Sequence, residues 1–502
     1  MNKPLILGVS ASLRNARRGL GNQDLIASIH ACKDEASLKA FLSQEAALHL
    51  KHFQEAGRKD ELPFDQMYRN LKKLKGNRGL SNSEVALSAA LWSCYQLGCE
   101  IDHVSLSEYY TESGVHNEQA LFDKVKAADG IMVSTPVYFG DRSSLAQTFL
   151  EKIRVDQALN ESLQGKVYAG LAVGAKRNGG QETTLIYHML DMLNAGLLCV
   201  GNDSETTSQY GGTGHAGDIG TMPNDDYGLQ TAMGTGRRLS RVTQIMRLSE
   251  EYTLKGKPRI LFWLLQDKDD YALNYLTSLS SHFDADVDIM NVSDATVMRC
   301  LACDICPTHI DVDEEYRCII KSSKDAMGDL HARFMRADAV IPVIYSPRDR
   351  AGVSSTYQRF LERTRYLRRG DYLLSNAISA PFIIEEVGAN ENMHIRAMTS
   401  MVRHHTVLSR PIIAAKWQDQ IINDDDVKSE FARLNELICR VMKGRLAAFD
   451  ASQEHLKYRP IGYVLSAVKD VEDEKLLRRE SMMKDRFERN AQAKNEKIQP
   501  KS

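Results

Sequence analysis

The sequence predicts an α/β protein built as two consecutive doubly wound domains, each a parallel sheet covered by helices. Three observations carry this. The chain has 502 residues, 43% of them hydrophobic, which is too long for one ordinary core. Its apolar runs, such as "GIMVSTPV" and "AVIPVIY", are continuous rather than alternating, as in strands buried on both faces of a parallel sheet. Finally, the chain echoes itself in order, and internal repeats decide a fold before motifs do.

The echoes place the domains. "KPLILGVSAS" at Lys3 pairs with "KPRILFWLLQ" at Lys257, each an apolar, strand-forming run that opens a domain. "AADGIMVSTPVYFGDRSSLAQTFLEKIR" (127–154) pairs with "RADAVIPVIYSPRDRAGVSSTYQRFLERTR" (336–365). Both read Ala-Asp, buried strand, Pro/Tyr loop, then a helix with Phe-Leu-Glu. "YAGLAVGAKRNGGQE" pairs in turn with "PFIIEEVGANENMH". Lys3 and Lys257 are 254 apart but Asp129 and Asp338 only 209, so the first half carries 45 extra residues between those points. The excess falls at about 15–80, where "DLIASIHACKDEASLKAFLSQEAALHLKHF" has helical apolar spacing. This predicts residues 1–250 as one domain with a helical insertion at about 15–80. Residues 256–447 form a second domain, and 448–502 a charge-rich tail, helical or fraying.

The formal net charge of −2 gives no reason to expect nucleic acid or an anionic membrane as partner. No segment has the apolar length that spans a bilayer. Nine cysteines, an odd count behind an N-terminus without a signal-peptide pattern, suit a reducing compartment, and the expectation is a cytoplasmic protein.

"LILGVSASLR" reads as a strand ending in a hydroxyl-rich loop, and "SNSEVALSAALWSCYQLG" as a capped helix. Together they make an anion site from Ser10, Ser12 and Arg14 on one side and Asn82 and Ser83 on the other. On local sequence alone, the same serines read equally well as a turn and a cap. Tyr138 and Phe139, taken in isolation, read more readily as core aromatics than as ligand contacts. "STPVYFGDRSS" and "VGAKRNGGQETT" each follow a long strand, at the carboxyl edge where open α/β sheets bind ligands.

This set of loops over about residues 3–245 resembles the NADPH-dependent FMN reductases, which are flavodoxin-like proteins. The resemblance implies an FMN phosphate held by Ser10, Ser12, Arg14, Asn82 and Ser83. It implies a ring bordered by Pro136, Val137, Tyr138, Phe139, Gly179, Gly180 and Gln181. A Tyr-Gly-Gly loop adds Tyr210. Adjacent glycines suit close backbone approach to a flat cofactor. The phosphate loop, split by the insertion, departs from the family pattern at Arg14.

The second half replaces the serine loop with "LQDKDD", whose Asp267, Asp269 and Asp270 repel a phosphate. It lacks the Gly-Gly-Gln-Glu run, so no FMN is expected there. It carries instead "CLACDICPTHIDVDEEYRC", with Cys300, Cys303, Cys306 and Cys318. That spacing suits an iron–sulfur cluster, or a zinc site with His309 as an alternative ligand; a redox pair or vestige is the third reading. The second half resembles the iron–sulfur flavoproteins of the same superfamily, although its last Cys interval is longer than theirs.

The expected function is an FMN-dependent NAD(P)H oxidoreductase. No side-chain acid or base is assigned, because the cofactor carries the chemistry. Electrons would pass to a quinone, a flavin or a protein acceptor, with a cluster in the second domain as a relay and the two domains forming an intramolecular pseudo-dimer. The alternative is a non-catalytic flavin-binding carrier or scaffold subunit.

Overall fold

The computed structural model describes residues 3–13, 22–58, 62–73, 79–111, 113–203, 208–254, 256–303, 318–334, 336–349, 352–370, 374–451, 453 and 456. Arg14, Cys306, His309 and the tail beyond residue 456 lie outside the described residues. The chain divides into two compact units, residues 1–243 and 244–502.

In the first unit the strands are β1 (Leu5–Ser10), β2 (Glu100–Ser105), the small hairpin β3 (Tyr110–Thr111) and β4 (Gly114–Val115), β5 (Gly130–Pro136), β6 (Val167–Gly174), β7 (Leu198–Cys199) and β8 (Gly212–His215). The main sheet runs β2-β1-β5-β6, and β7 and β8 share the far edge of β6, all parallel. Counted as one broken edge strand, β7 and β8 complete the order 2-1-3-4-5 of doubly wound mononucleotide folds. Every residue of β6 is buried, as its unbroken apolar run requires.

Three helices, Asn22–Ala31, Glu35–Glu55 and Phe64–Lys73, occupy the interval between β1 and the helix Asn82–Gln96. Asp34 caps the second of these in a reciprocal box with Ser37. Gly79 then lets the chain pass close to that helix. Its φ is +71°, and a Cβ there would lie 2.1 Å from the Glu45 carbonyl. Ser81 and Glu84 cap Asn82–Gln96 reciprocally, and Trp92 on that helix donates to the Cys32 carbonyl at 2.9 Å.

The second unit is built from β9 (Arg259–Gln266), β10 (Asp286–Asn291), β11 (Ala339–Ser346), β12 (Ile378–Ser379), β13 (Phe382–Glu386), β14 (Val407–Leu408), β15 (Ile412–Trp417) and β16 (Gln420–Ile421). Its parallel order is β10-β9-β11-β13-β15. Short β12 and β14 precede β13 and β15 on the same paths, and β16 is an antiparallel edge. The order is again 2-1-3-4-5. Buried Trp263 packs edge-on against Phe334 and Phe360. Phe431, on the long helix Asp424–Asp450, packs against Phe283 and Phe382. Asp424, Asp425 and Asp426 open that helix, favourable at its positive end.

Each unit also buries a neutral histidine. Burial and, secondarily, the Arg142 guanidinium push His188 down to about 3. Burial and then Arg368 and Arg403 push His404 to about 3. Between pH 3 and 6.5 the unfolded chain therefore binds protons that the folded chain does not, so stability falls as the pH falls through this window. Each histidine contributes up to about 1.4 kcal/mol per pH unit. The melting temperature is expected to drop between pH 6.5 and 4, and the drop should shrink in His188→Gln and in His404→Gln. Parallel curves for wild type and both variants would disprove it.

Candidate functional site

The carboxyl edge of the first sheet gathers three serines into one row. Parallel register pairs Ser10 with Ser105 on one side and with Ser134 on the other, and all three are buried. In-register neighbours share a face. Ser134 shows which face this is, because its hydroxyl donates to the Ser83 carbonyl at 2.8 Å, at the start of Asn82–Gln96. Ser105 pairs with the Ser107 hydroxyl at 3.0 Å. The Ser10 hydroxyl is buried with no hydrogen-bond partner among the described residues. Such an orphan fits a ligand oxygen, since buried polar groups are otherwise satisfied.

The loop that follows is fastened from below. Ala11 N–H donates to the Ser134 carbonyl (2.8 Å), and the Ser143 hydroxyl to the Ala11 carbonyl (2.6 Å). Ser12 is buried beside it. Asn82 has a different employment from the one expected. Its amide donates to the Asp218 carbonyl (2.9 Å) and accepts from Met222 N–H (3.3 Å), tying the helix start to a loop. Beside Asn82 lies a cavity of about 430 Å³, walled by Phe53, Met67 and Leu71 from the helices between β1 and Asn82.

The two loops expected to border a ring meet at the carboxyl ends of β5 and β6. Val137 N–H donates to the Val173 carbonyl at 3.0 Å, and Tyr138 and Asp141 exchange backbone bonds of 2.8 and 2.9 Å around a tight turn. Phe139 and Gly140 at its tip have φ of +54° and +79°, as a turn with two left-handed central residues requires. Phe139 is fully exposed and Tyr138 about half so, 107% and 47%; neither is a core aromatic. From the other loop, Gly180 (φ +102°) abuts this turn, and a Cβ there would lie 2.8 Å from the Gly140 Cα. Gly179 precedes it, exposed.

Gln181 is buried and every polar atom of its side chain is used. Its carbonyl oxygen accepts from Gly179 N–H (2.7 Å), and its nitrogen donates to the carbonyls of Lys176 (2.8 Å) and Gly214 (3.1 Å). It shapes the loop from within. Tyr210 is half-buried in the bend before β8. Asn202 holds that bend, donating to the carbonyls of Gly211 and Thr231.

Two arginines not singled out from the sequence brace these loops. Arg142 joins Asp141 at 3.1 Å and Asp191 at 2.5 Å, linking the Tyr138 turn to the helix Gln181–Asn194. Arg177 donates to the Thr213 carbonyl at 3.0 Å and pairs with Asp225, which also accepts from His215 N–H at 2.7 Å. Arginine after a loop is too common to read as a brace until its partner is seen.

In the second unit, Cys300 and Cys318 are half-buried and Cys303 is exposed, all as free thiols. Ala302 has φ +51°, and its N–H donates to the Cys300 sulfur at 3.4 Å. A buried ion pair, Arg363–Asp325 at 2.6 Å, anchors the segment just upstream. Asp325 accepts Met298 N–H (3.0 Å), and Arg363 donates to the Met298 carbonyl (3.0 Å). Among the described residues no three His, Cys, Asp or Glu side chains converge on a metal position.

A 2-1-3-4-5 sheet with a serine row, a helix N-terminus and two apposed loops at one edge defines a mononucleotide-binding protein of the flavodoxin-like class. Residues 76–205 match the family model of the NADPH-dependent FMN reductases. An iron–sulfur flavoprotein of Methanocaldococcus jannaschii is 32% identical over 180 residues, 33% of this chain and 92% of that protein. One from Methanosarcina thermophila is 31% identical over 34% of this chain and 80% of its own length. A NAD(P)H dehydrogenase (quinone) of Methylocella silvestris is 35% identical over 129 residues, 23% of this chain and 62% of that protein. The chain belongs to the family of NADPH-dependent FMN reductases and iron–sulfur flavoproteins. It is a NAD(P)H-dependent flavin oxidoreductase, with FMN as the family's cofactor.

Gly180→Ala should weaken FMN binding by about tenfold, since the added carbon is strained by φ and pushes the 137–140 turn away. Gly98→Ala, also at positive φ but with open space around it, should leave FMN affinity unchanged. Fluorescence titration of apoprotein checks both; equal affinities in the two variants would contradict this reading.

Proposed function

We propose that the flavin site lies in the first unit and that the enzyme passes electrons from NAD(P)H to a small-molecule acceptor of the quinone class. The apposition of Gly180 with the Val137–Gly140 turn is the observation that carries this. It builds, from two strand ends, a cleft edge with exposed aromatic and backbone surface. Ser10, Ser12 and the first amides of Asn82–Gln96 would hold the FMN phosphate. Residues 136–139 with 179 and 180 would line the ring, and Tyr210 would close one side. Bound there, FMN supplies the redox chemistry, taking hydride from the nicotinamide and delivering electrons onward. The chain's part is placement. The bonds of Gln181 and the Arg142–Asp191 pair fix the two loops relative to each other, and the exposed Tyr138 and Phe139 leave a face to which a flat nicotinamide or quinone can dock.

The second unit supports a division of labour and a common ancestry of the halves. Its row equivalent to Ser105–Ser10–Ser134 is Asn291–Leu264–Val343, which offers a phosphate no central hydroxyl. Its first helix, Tyr271–Ser280, meets a carboxylate of its own. Asp267 accepts the N–H groups of Ala272 (2.8 Å) and Leu273 (3.0 Å). Both units share their strand order. Ser143 and Ser354 also cap matching helices, accepting from Ala146 and Tyr357 N–H. These features support tandem duplication with flavin binding kept in the first half.

Purified protein supplied with FMN is expected to oxidise NADPH or NADH in the presence of a generic quinone. Flavin uptake without turnover would favour the carrier or scaffold reading. Failure to take up flavin would overturn the proposal.

We propose further that Cys300, Cys303, Cys306 and Cys318 hold an iron–sulfur cluster. The free thiols and the N–H donated to the Cys300 sulfur support it, as backbone donors stabilise a ligating thiolate. Anaerobically purified protein is expected to contain iron and acid-labile sulfide. Cys303→Ser should lose both and slow electron flow through the flavin while FMN content stays the same. Stoichiometric zinc without sulfide, or turnover unchanged after cluster loss, would refute the assignment.

A further inference from the structure

The second unit has a groove whose own lining neither the flavin nor the cluster proposal uses. It runs between two helices that follow successive strands of the sheet. One is formed by Ser355–Arg363 and its continuation Arg365–Gly370 after β11, the other is Met393–Val402 after β13. The cavity there is about 380 Å³, within the range of small-ligand sites.

Its charge is strongly one-sided. Arg365 and Arg368 line it from the first helix, and Arg396 and Arg403 from the second, against the single carboxylate of Glu362. Positions 396, 399, 400 and 403 are spaced by three, one and three, so they form one helical face. That face presents two guanidinium groups with the hydroxyls of Thr399 and Ser400 between them. Among the described residues, neither Arg396 nor Arg403 has a carboxylate within ion-pair distance.

His404, at the groove wall with its ring 3.4 Å from the Thr364 hydroxyl, is kept neutral by burial first and by Arg368 and Arg403 next. Holding the Arg396 and Arg403 guanidinium groups on one face without a carboxylate between them is unfavourable in the absence of an anion and favourable with one. The planar fork of arginine suits phosphoryl oxygens in particular.

Arg396 and Arg403 have no arginine counterparts in the first unit. Aligned on Val173-Gly174 and Val387-Gly388, Arg396 and Arg403 stand where the first unit has Glu182 and buried Met189. A neighbouring cavity of about 630 Å³ shares Gln358, Glu362 and Arg365, adds Arg299 and Arg359, and reaches Cys300 and Ala302 of the cysteine segment. The basic lining thus extends beyond one phosphate's reach.

We propose that this groove binds a diphosphate-bearing small molecule, with Arg365 and Arg368 on one side and Arg396 and Arg403 on the other holding its oxygens. The net positive lining matches a diphosphate better than a single phosphate, and the adjoining cavity gives a substituent somewhere to go.

Calorimetric titration of the full-length protein with inorganic pyrophosphate and, separately, with ADP tests this. Both are expected to bind, more weakly as salt is raised. ADP binding the tighter of the two would identify a nucleotide site, and equal affinities a site for the diphosphate group itself. The double variant Arg396→Gln/Arg403→Gln should lose affinity by about tenfold or more, and Glu362→Gln should gain severalfold. The opposite signs separate a charge effect from misfolding. No heat with either ligand at about millimolar concentration, or variants that bind as wild type does, would overturn the proposal.

Discussion

In both units the sheet is fixed by one carboxylate at the entrance to its third strand. Asp129 accepts the Leu5 N–H at 2.9 Å and returns its own N–H to the Leu5 carbonyl at 2.9 Å. Its carbonyl also accepts from Val167 N–H at 3.3 Å. One residue thereby sets the register of β1, β5 and β6. In the second unit Asp338 does the same to Arg259, at 3.0 and 2.9 Å. Register matters because a slip by one residue would turn every side chain to the opposite face. Ser10 and Ser134 would then leave the helix Asn82–Gln96, and the row that gives the site its buried hydroxyls would not exist. The edge where chemistry is expected is fixed from the opposite end of the strands.

This explains why the Ala-Asp pair recurs in both halves of the sequence, and why it read as a landmark rather than a site. The parallel-sheet frame was legible. Continuous apolar runs read as doubly covered parallel strands, and Ser81 with Glu84 three residues on is an N-cap that needs no tertiary context. The adjacent glycines at 179 and 180 were likewise readable as a place of close backbone approach. Features that depend on register or on distant partners were not. Ser105 and Ser134 are ordinary strand serines until pairing aligns them with Ser10. Asn82 looked like a phosphate ligand because its place at a helix start is right, yet its amide is taken by residues 218 and 222, far along the chain. Gln181 looked like a ring contact, and its side chain turns inward to hold Gly179, Lys176 and Gly214.

The cysteine segment shows the same limit. Sequence spacing marks the thiols, and spacing alone cannot reveal that Asp325 and Arg363 grip Met298 by both backbone groups. A buried pair of this kind is costly to break, about 3–5 kcal/mol when one partner is removed. That cost makes residue 298 a firm point from which the segment departs.

The second unit has the strand order of the first with different residues at its carboxyl edge. Leu264 and Val343 fill the row that holds hydroxyls in the first unit, and Asp267 satisfies the helix amides that an anion would use. At the neighbouring strand ends, the Tyr345 hydroxyl donates to Glu386 at 2.5 Å, and Glu386 also accepts Arg348 N–H at 2.7 Å. The phenol is held neutral by burial and by that carboxylate. Tyr345, Glu386 and the Arg348 N–H have thus found partners at this edge, whereas the buried Ser346 hydroxyl has none among the described residues. Among the described residues, Arg396 and Arg403, on the helix Met393–Val402 and its cap, have no carboxylate within ion-pair distance. A sheet edge closed by its own carboxylates and a helix groove lined by arginines place the anion chemistry of this unit on its helices, off the edge where its fold would ordinarily put it.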